Sequence, residues 1–495
     1  MSIAHVHRAL PSIALSSASR EPAGRQIYRQ LKELILRGRL RTGARLPSTR
    51  RLANDLGVSR NIVVFAYEEL KAEGYIVSQF GAGSCVAATF RRGPVDRPWR
   101  AERRQPERRL DPPPHAIEPG YLIGRPFEVD LPALDVFPQR LWGRLAANRC
   151  ARSLRELLRS ADTGGYLPLR QTIADHLFET RGIQCAPDQV VVVTGEGQAI
   201  SLAAALLIEP NDAVLLENPT HVGVRQILRA AGARVISVPV DSRGFDARAA
   251  ELSQPDPKIA LFTPSSHFPL GFTLDPAQRT ALADWAGARE GRWILEDDTG
   301  HDLLSPGLWQ SPIWTRAPGR VLYFSSFRRT LAPSLRLGFV VVPDKLVDAM
   351  LSTRLLADGY RPPLEQAILN DFIVAGHYAE HVRAMRGIYA ERHAVLAAAV
   401  AEHLGDVILP EPSLAGLHTV CRLPATLSDA ELAERAAGSF VLRPLSAFHE
   451  GATDANGLLL GHAQLSVREL RREVRRLAAL LTNCAAYQPS LRRAM

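Results

Sequence analysis

The pattern of apolar and polar positions predicts three short helices near the beginning of the chain. Residues 25–36 form the first helix, because their apolar side chains recur at helical spacing. Ser48 provides an N-cap for the second helix, which Gly57 ends. Ser59 caps the third helix, which runs to about Glu73. Two short helices joined by a glycine-containing turn are typical of a helix-turn-helix, whose second helix enters the major groove of DNA.

Two short strands are predicted after the third helix, over residues 75–78 and 84–87. They flank the turn Phe80-Gly-Ala-Gly, so they form a hairpin where a winged helix-turn-helix has its wing. A pair of helices that is not a helix-turn-helix would show the same caps and turn. Such a pair gives no reason to expect a hairpin directly after it. The pattern therefore predicts a winged helix-turn-helix domain over residues 25–90, behind a flexible N-terminus over residues 1–24.

Apolar runs alternate with helical stretches over residues 127–485. Several of the runs are continuously apolar or β-branched, as expected for strands that are buried on both faces of a sheet. This alternation predicts an α/β domain with a mostly parallel sheet. The predicted strands are Val190–Val193, Ala213–Glu217, Val235–Pro239, Ile259–Thr263, Trp293–Glu296, Val321–Ser325 and Gly338–Val342.

Residues 91–126 lie between these domains, are rich in Arg and Pro, and show no apolar periodicity. Such a composition is typical of an extended linker, which is either a plain spacer or a segment that also contacts the DNA backbone. The net charge of +9 is concentrated here and in the first domain. Residues 1–125 contain 22 Lys and Arg against 11 Asp and Glu, or +11, and the rest contain 38 against 40, or −2. The charge therefore indicates an acidic polymer as a partner, such as the double-stranded DNA that a helix-turn-helix binds.

Composition argues against several other classes of protein. No apolar run reaches the length of about 18 residues that a membrane span needs. The five cysteines lie far apart, without a CxxC motif or pairing with histidines, which indicates reduced thiols and neither a disulfide framework nor a zinc site. We therefore expect a cytoplasmic protein, associated with the bacterial nucleoid when bound to DNA, that has no metal site.

Polar residues follow three of the predicted strands at the points where the strands end. Thr194-Gly-Glu-Gly-Gln leads from one strand into a helix, whose N-terminal amides can bind an anion. Glu296-Asp-Asp ends a second strand, and Ser325-Ser-Phe-Arg-Arg ends a third. Because ligands of such sheets lie at the carboxyl ends of strands, these groups predict a single binding site.

The first domain resembles the GntR family of winged-helix regulators over the string GARLPSTRRLANDLGVSRNIVVFAYEELKAEGYIVSQFGAGSCVA. The resemblance implies DNA contacts near the starts of the second and third helices and in the wing. Arg60 is the candidate for a base contact, with guanine as the expected base. The implied contact residues are Arg50, Ser59, Arg60, Asn61 and Gly81.

The whole chain resembles the MocR (GabR-like) subfamily of that family, in which a winged helix precedes a fold-type I, aspartate-aminotransferase-like domain. The strings LDVFPQRLWGRL, FTPSSHFPLG and ILEDD carry this second resemblance. It implies a smaller C-terminal α+β subdomain over residues 385–485. It also implies a homodimer that binds promoter DNA, and pyridoxal 5′-phosphate as the effector.

The same resemblance implies roles for the residues at the strand ends. Asp297 matches the carboxylate that pairs with the pyridine nitrogen of the cofactor. Ser326 and Arg336 match the side chains that bind the cofactor phosphate, and backbone amides around Glu196 and Gly197 complete the phosphate cup.

The chain departs from the family at the Schiff-base lysine, which should lie three residues after Ser326. Arg329 occupies that position, and a guanidinium stays protonated and is a poor nucleophile. His221 replaces the ring-stacking aromatic residue, Thr299 replaces a tyrosine, and Glu196 brings a negative charge to the cup. None of the chain's four lysines falls on a predicted ligand-facing strand end; they are Lys32, Lys71, Lys258 and Lys345.

Three hypotheses follow for the large domain. It senses an anionic effector without covalent chemistry, either pyridoxal phosphate held non-covalently or another metabolite. Alternatively, it binds no cofactor and serves only as a dimerisation scaffold. A working aminotransferase with a DNA-binding appendage is the third hypothesis, and Arg329 argues against it. We therefore expect a regulator that is not an enzyme.

Overall fold

The structure is a computed structural model of the chain. It divides into two compact units, Met1–Arg109 and Leu110–Met495. The residues that the structure describes are 13–16, 19, 21–79, 83–87, 125–159, 162–241, 244–245, 256–405, 407–411 and 416–482.

The N-terminal unit is a bundle of three helices followed by a two-stranded hairpin, which confirms the winged helix-turn-helix. Ile27 and Leu31 of the first helix and Leu70 of the third are fully buried in its apolar core. The hairpin is antiparallel, with Ile76 opposite Val86. The elements are α1 (Ala23–Leu36), α2 (Thr49–Leu56), α3 (Arg60–Ala72), β1 (Ile76–Gln79) and β2 (Gly83–Val86).

Local chemistry sets the ends of α2 and α3. The Ser48 side chain accepts a hydrogen bond from the Arg51 amide, so it caps α2 as expected. Gly57 ends α2 in the left-handed conformation with φ 65°, which glycine adopts without steric cost. Ser59 occupies the N-cap position of α3, but its side chain makes no capping hydrogen bond there.

Part of the segment that was expected to be flexible, residues 1–24, is packed against α1. The Ala14 amide donates to the Gln30 side chain at 3.0 Å, and the Gln30 amide group donates back to the Ala14 carbonyl at 2.8 Å. Ile13 and Leu15 pack against the apolar core of this unit. Glutamines at helical spacing on α1 therefore bind residues 13–16 along the helix.

The large unit is built on an eight-stranded sheet in the order β3-β10-β9-β8-β7-β4-β5-β6. β4, β5, β7, β8 and β9 run parallel, whereas β10 is antiparallel to both β3 and β9. The mostly parallel sheet is thus confirmed. The strands are β3 (Val190–Val193), β4 (Ala213–Asn218), β5 (Arg234–Asp241), β6 (Gly244–Phe245), β7 (Ile259–Phe262), β8 (Trp293–Asp297), β9 (Val321–Ser326) and β10 (Gly338–Val341).

Helices cover both faces of this sheet. Successive residues of β3 show the arrangement, because Val190 and Val192 join one apolar core and Val191 and Val193 join another. Among the described residues, no helix combines the length and the apolar character that a membrane crossing needs. The helices of the unit up to its long α12 are α4 (Gln139–Arg152), α5 (Leu154–Leu157), α6 (Leu167–Arg181), α7 (Glu196–Leu207), α8 (Val222–Ala230), α9 (Pro276–Gly287), α10 (Val347–Asp358), α11 (Pro363–Val374) and α12 (His377–Leu404).

A smaller antiparallel sheet with its own apolar core forms the C-terminal part of the unit, with strand order β11-β12-β14-β13. Residues before the large sheet also belong to it, because Phe127 is fully buried in this core and its carbonyl accepts from the Gly461 amide. Arg125, which fell within the expected linker, donates to the Ala437 carbonyl at 2.7 Å. The remaining elements are β11 (Leu409–Pro410), β12 (His418–Arg422), α13 (Asp429–Ala436), β13 (Arg443–Pro444), β14 (Gly457–Gly461) and α14 (Val467–Thr482).

Candidate functional site

The N-terminal unit presents a polar, basic surface at the starts of α2 and α3. Arg50, Ser59, Arg60 and Asn61 are all exposed there. The Arg60 Nε donates to the Thr49 hydroxyl at 3.4 Å, so the first turns of the two helices lie side by side. Four of the five expected DNA contacts are therefore brought together on one surface. The fifth, Gly81, lies outside the described residues.

The expected phosphate cup lies at the edge of the sheet where β3 ends and α7 begins. Gly195 has φ 131°, a conformation that favours glycine, and it lets the chain turn directly into the helix. The first amides of α7, from Glu196 and Gly197, have no carbonyl partner within the helix and carry its positive dipole end. This turn can therefore bind an anion.

The end of β9 approaches this turn closely. A Cβ atom on Gly338 of β10 would lie 3.0 Å from Ser326 Cβ and 3.1 Å from Gly195 Cα, so only glycine fits between them. The Ser326 Oγ is buried and has no hydrogen-bond partner among the described residues. A buried hydroxyl without a partner is costly, and a ligand oxygen at this point would satisfy it.

A cavity of about 1120 Å³ opens beside the same turn. Thr194, Glu196, Gly197 and Arg336 are among the residues that line it. Arg336 is exposed and has φ 52°, an unusual conformation for a residue with a side chain. The start of α7 and Arg336 therefore lie around one cavity, whereas Ser326, the other side chain expected to bind the phosphate, is not among the residues that line it.

Asp297 ends β8, and its carboxylate accepts a hydrogen bond from the Thr299 amide at 2.9 Å. Burial and the negative charge of Glu196 raise the pKa of Asp297 to about 6. A positively charged ring nitrogen beside Asp297 would offset both effects, so the carboxyl group suits the pyridine partner that the resemblance implies.

Arg329 lies in the turn after β9 and is 6% exposed. Its Nη1 donates to the Thr299 carbonyl at 3.2 Å, and its Nη2 lies 3.2 Å from Asp130 Oδ1. The guanidinium is thus held between the turn that follows β8 and the segment that precedes α4. A buried ion pair therefore occupies the position where the resemblance implies a lysine.

Asp130 joins two arginines. Arg328 Nη2 lies 2.7 Å from Asp130 Oδ2, and Arg328 Nε lies 2.8 Å from Glu196 Oε1. Burial disfavours the charged form of Asp130, but the charges of Arg329 and Arg328 outweigh it and lower the pKa of Asp130. Carboxylates and guanidiniums therefore alternate from the phosphate cup to Thr299.

The four lysines are engaged elsewhere. Lys258 binds Asp212 at 2.8 Å, and Lys345 lies 4.7 Å from the centre of the Trp293 ring. In the N-terminal unit, Lys32 binds Glu73 at 2.5 Å and Lys71 lies 4.0 Å from Glu68.

His221 caps α8, and its Nδ1 accepts from the Gly223 amide at 3.1 Å. Its ring lies 5.7 Å from that of Phe268. His221 is close enough to Arg328, Asp130 and Glu196 to interact with their charges, so it borders the site. Thr299 accepts a hydrogen bond from Arg329 through its backbone carbonyl. The residue type at position 299 does not indicate such a backbone contact.

Two family comparisons agree with this organisation. "Bacterial regulatory proteins, gntR family" matches residues 23–86, and "Aminotransferase class I and II" matches residues 142–453. The probable rhizopine catabolism regulatory protein MocR of Rhizobium meliloti is 35% identical over 92% of this chain and 93% of that protein. The chain belongs to the MocR-type subfamily of GntR regulators. A further relative, the regulator TauR of Rhodobacter capsulatus, is 30% identical over 92% of this chain and 96% of its own length.

Enzymes share the large domain of this MocR-type chain. The 2-aminoadipate transaminase of Thermus thermophilus is 30% identical over 74% of the chain and 92% of its own length. The solved α-aminoadipate aminotransferase of the same organism, complexed with N-(5′-phosphopyridoxyl)-L-leucine, is similar with a TM-score of 0.65 and 27% identity, over 74% of this chain and 92% of its own. The large domain thus has the fold-type I aminotransferase architecture.

Asp130 and Arg328 of the MocR-type chain were not among the residues expected from the sequence. Asp130 lies 199 residues before Arg329, so no motif spacing links them. The consecutive arginines were the available signal, because an arginine buried beside a sheet requires a carboxylate or carbonyl partner.

We expect Asp130→Asn to destabilise the large unit by about 3–5 kcal/mol at neutral pH, because it leaves the buried charge of Arg329 uncompensated. The folded-state pKa of Asp130 is lowered, so its contribution is present above its unfolded pKa of about 4 and is lost as the pH falls below it. Denaturant unfolding at several pH values measures the difference. Asp188→Asn is the control, since its side chain is 83% exposed beside Arg170. Equal losses for the two variants would contradict the expectation.

Proposed function

We propose that this MocR-type chain is a DNA-binding transcriptional regulator whose large domain senses a small anionic effector without forming a covalent bond to it. The buried ion pair of Arg329 with Asp130 carries the proposal. The N-terminal unit provides the DNA-binding surface, and the protein acts in the cytoplasm on promoter DNA.

The chemistry of Arg329 supports a non-covalent sensor. A guanidinium remains protonated at any physiological pH and does not attack a carbonyl carbon. Here it is also engaged by Asp130 and the Thr299 carbonyl, so it is held in place as a charge. Such a charge can attract an anion, but it cannot act as the nucleophile of an aminotransferase.

The residues around the cup fit pyridoxal phosphate as the effector. Ser326 and the first amides of α7 would hold the phosphate, and Asp297 would pair with the ring nitrogen. Pyridoxal phosphate supplies a phosphate, a pyridine nitrogen and an aldehyde for recognition when bound. The unpartnered Ser326 hydroxyl supports this assignment, because a phosphate oxygen would give it a partner.

A homodimer formed by the large domain is part of the proposal. Leu356 of α10 and Val374 of α11 are 89% and 69% exposed, and a second copy would cover such apolar surface. Two winged helices in one dimer would then bind two half-sites of an operator.

A pure dimerisation scaffold is the second candidate function. Glu196 favours it, because this residue places a carboxylate at the cup where a phosphate would lie. The ion pair with Arg328 neutralises part of that charge, which supports the sensor instead.

We expect Arg60→Ala to weaken binding to an operator by about 1–3 kcal/mol, or roughly fivefold to over a hundredfold, if Arg60 contacts a base edge. Arg50→Ala should weaken binding to operator and random DNA alike, because a phosphate contact carries no sequence information. Fluorescence anisotropy with a duplex selected from a random pool, and with a scrambled duplex, measures both. The same loss on both duplexes for Arg60→Ala would refute a base contact.

We expect pyridoxal phosphate and sodium borohydride to leave no cofactor-modified peptide at the site of the wild-type chain. Arg329→Lys should create one, because it places an amine beside Ser326 and Asp297. Peptide mapping after reduction separates this product from modification of the four natural lysines. A modified wild-type site peptide, with an absorption band that borohydride bleaches, would overturn the non-covalent assignment.

We expect pyridoxal phosphate to raise the apparent unfolding temperature of the large unit, because a ligand that binds only the folded state stabilises it. Ser326→Ala should weaken the binding by about 1.5–3 kcal/mol, the contribution of a hydrogen bond to a charged group. Ser305→Ala, at an exposed residue that does not line the cavity, is the control. No shift with pyridoxal phosphate or any other B6 vitamer would favour the scaffold.

A further inference from the structure

Two histidines and an aspartate converge in the large unit at a place separate from the phosphate cup. His176 comes from α6, and His301 and Asp302 come from the turn that follows β8. His301 Nε2 lies 3.1 Å from Asp302 Oδ1, and His176 Nε2 lies 3.6 Å from the same oxygen. All three potential ligand atoms lie within 4.8 Å of one another.

These distances agree with the edges of a metal coordination polyhedron. Zinc binds histidine nitrogen and carboxylate oxygen at about 2.0–2.2 Å, so adjacent ligand atoms in a tetrahedron are about 3.3 Å apart. The two measured separations lie on either side of that value. For the two histidines, only the upper bound of 4.8 Å is set, so a small ion would bind after at most a modest approach of their side chains.

Surrounding groups orient the ligand atoms inward. The His301 Nδ1 donates to the Asp298 carbonyl at 2.8 Å, which leaves the Nε2 lone pair directed at the cluster. The Tyr378 hydroxyl donates to Asp302 Oδ2 at 2.6 Å, which leaves Oδ1 for the cluster. Hydrogen bonds of this kind are typical of metal ligands, because they fix the tautomer and the orientation of the ring.

The two inward-facing nitrogens are buried and lack a hydrogen-bond partner among the described residues. This holds for Nε2 of both His176 and His301, although each is near Asp302 Oδ1. His301 is 5% exposed as a whole residue, so water does not readily satisfy it. A buried nitrogen without a hydrogen bond is costly, and a bound cation would give both nitrogens a partner.

We propose that His176, His301 and Asp302 form a binding site for a divalent transition-metal ion, with Zn²⁺ as the expected occupant. Imidazole ligands favour Zn²⁺ and its neighbours over Mg²⁺ and Ca²⁺, which prefer oxygen. Three protein ligands leave a fourth position for water. The side chains of His176 and Asp302 are 20% and 14% exposed and provide the path for entry.

A metal at this site would connect α6 to the turn that contains Thr299. Thr299 precedes His301 by two residues, and its carbonyl accepts the hydrogen bond from Arg329. The ion would therefore stabilise the part of the large unit against which Arg329 is held. This site does not depend on whether pyridoxal phosphate binds.

The experiment uses the full-length protein without an affinity tag, stripped of metal with a chelator. Titration with Zn²⁺ against a chromophoric chelator should show one tight site per chain. His301→Gln and His176→Gln should each weaken this site at least about 100-fold, since losing even an outer hydrogen-bond partner of a ligand costs about 10–100-fold. His403→Gln, in which another histidine near a carboxylate is changed, should bind as the wild type does.

A second measurement does not require the variants to fold well. Co²⁺ added to the wild-type protein should give the visible absorption of a four- or five-coordinate site without a thiolate charge-transfer band, because the proposed ligands contain no sulfur. Circular dichroism without metal checks that each variant is folded. Equal Zn²⁺ affinity in all variants, a thiolate band, or no tight site in the wild type would overturn the proposal. The cluster would then be a histidine–aspartate ion pair.

Discussion

Burial of the large sheet on both faces is the constraint on which the rest of the large unit depends. With Val190 and Val192 in one core and Val191 and Val193 in another, no polar group can lie along β3. The polar side chains of the site instead lie where strands end, and parallel strands end at one edge of the sheet. The phosphate cup, Asp297 and the turn after β9 meet at that edge for this reason.

A charged group placed at that edge must find a partner, because it is largely removed from water. Arg329 finds one in Asp130, from a segment that packs in the smaller subdomain with Phe127. The ion pair therefore ties the smaller subdomain to the edge of the large sheet. A buried pair of this kind adds little net stability relative to apolar groups, but it is costly to break once formed. The ion pair thus fixes the position of the smaller subdomain relative to the large sheet more than it stabilises the fold.

Features that depend on local pattern could be predicted from the sequence. All seven predicted strands occur, and the helix-turn-helix was found from its caps and glycine turn, because these signals lie within a few residues of one another. The partner of Arg329 could not be predicted, since Asp130 approaches it only through the fold. The same holds for His176 and His301, which lie on different elements. Residues 13–16 were missed because side-chain hydrogen bonds from α1, rather than apolar periodicity, hold them in place.

In the proposed function, the site keeps groups that bind and has Arg329 where the family resemblance places the group that reacts, and this difference separates sensing from catalysis. Catalysis requires interactions that strengthen in the transition state, which in an aminotransferase depend on a nucleophilic lysine. A regulator needs only that its effector binds one conformation better than another, since the shift in population equals that difference in affinity. In the proposed function, Ser326 and Asp297 provide the selective binding. Arg329 adds a fixed charge that joins two parts of the domain, and an effector anion beside it could change the balance between their arrangements.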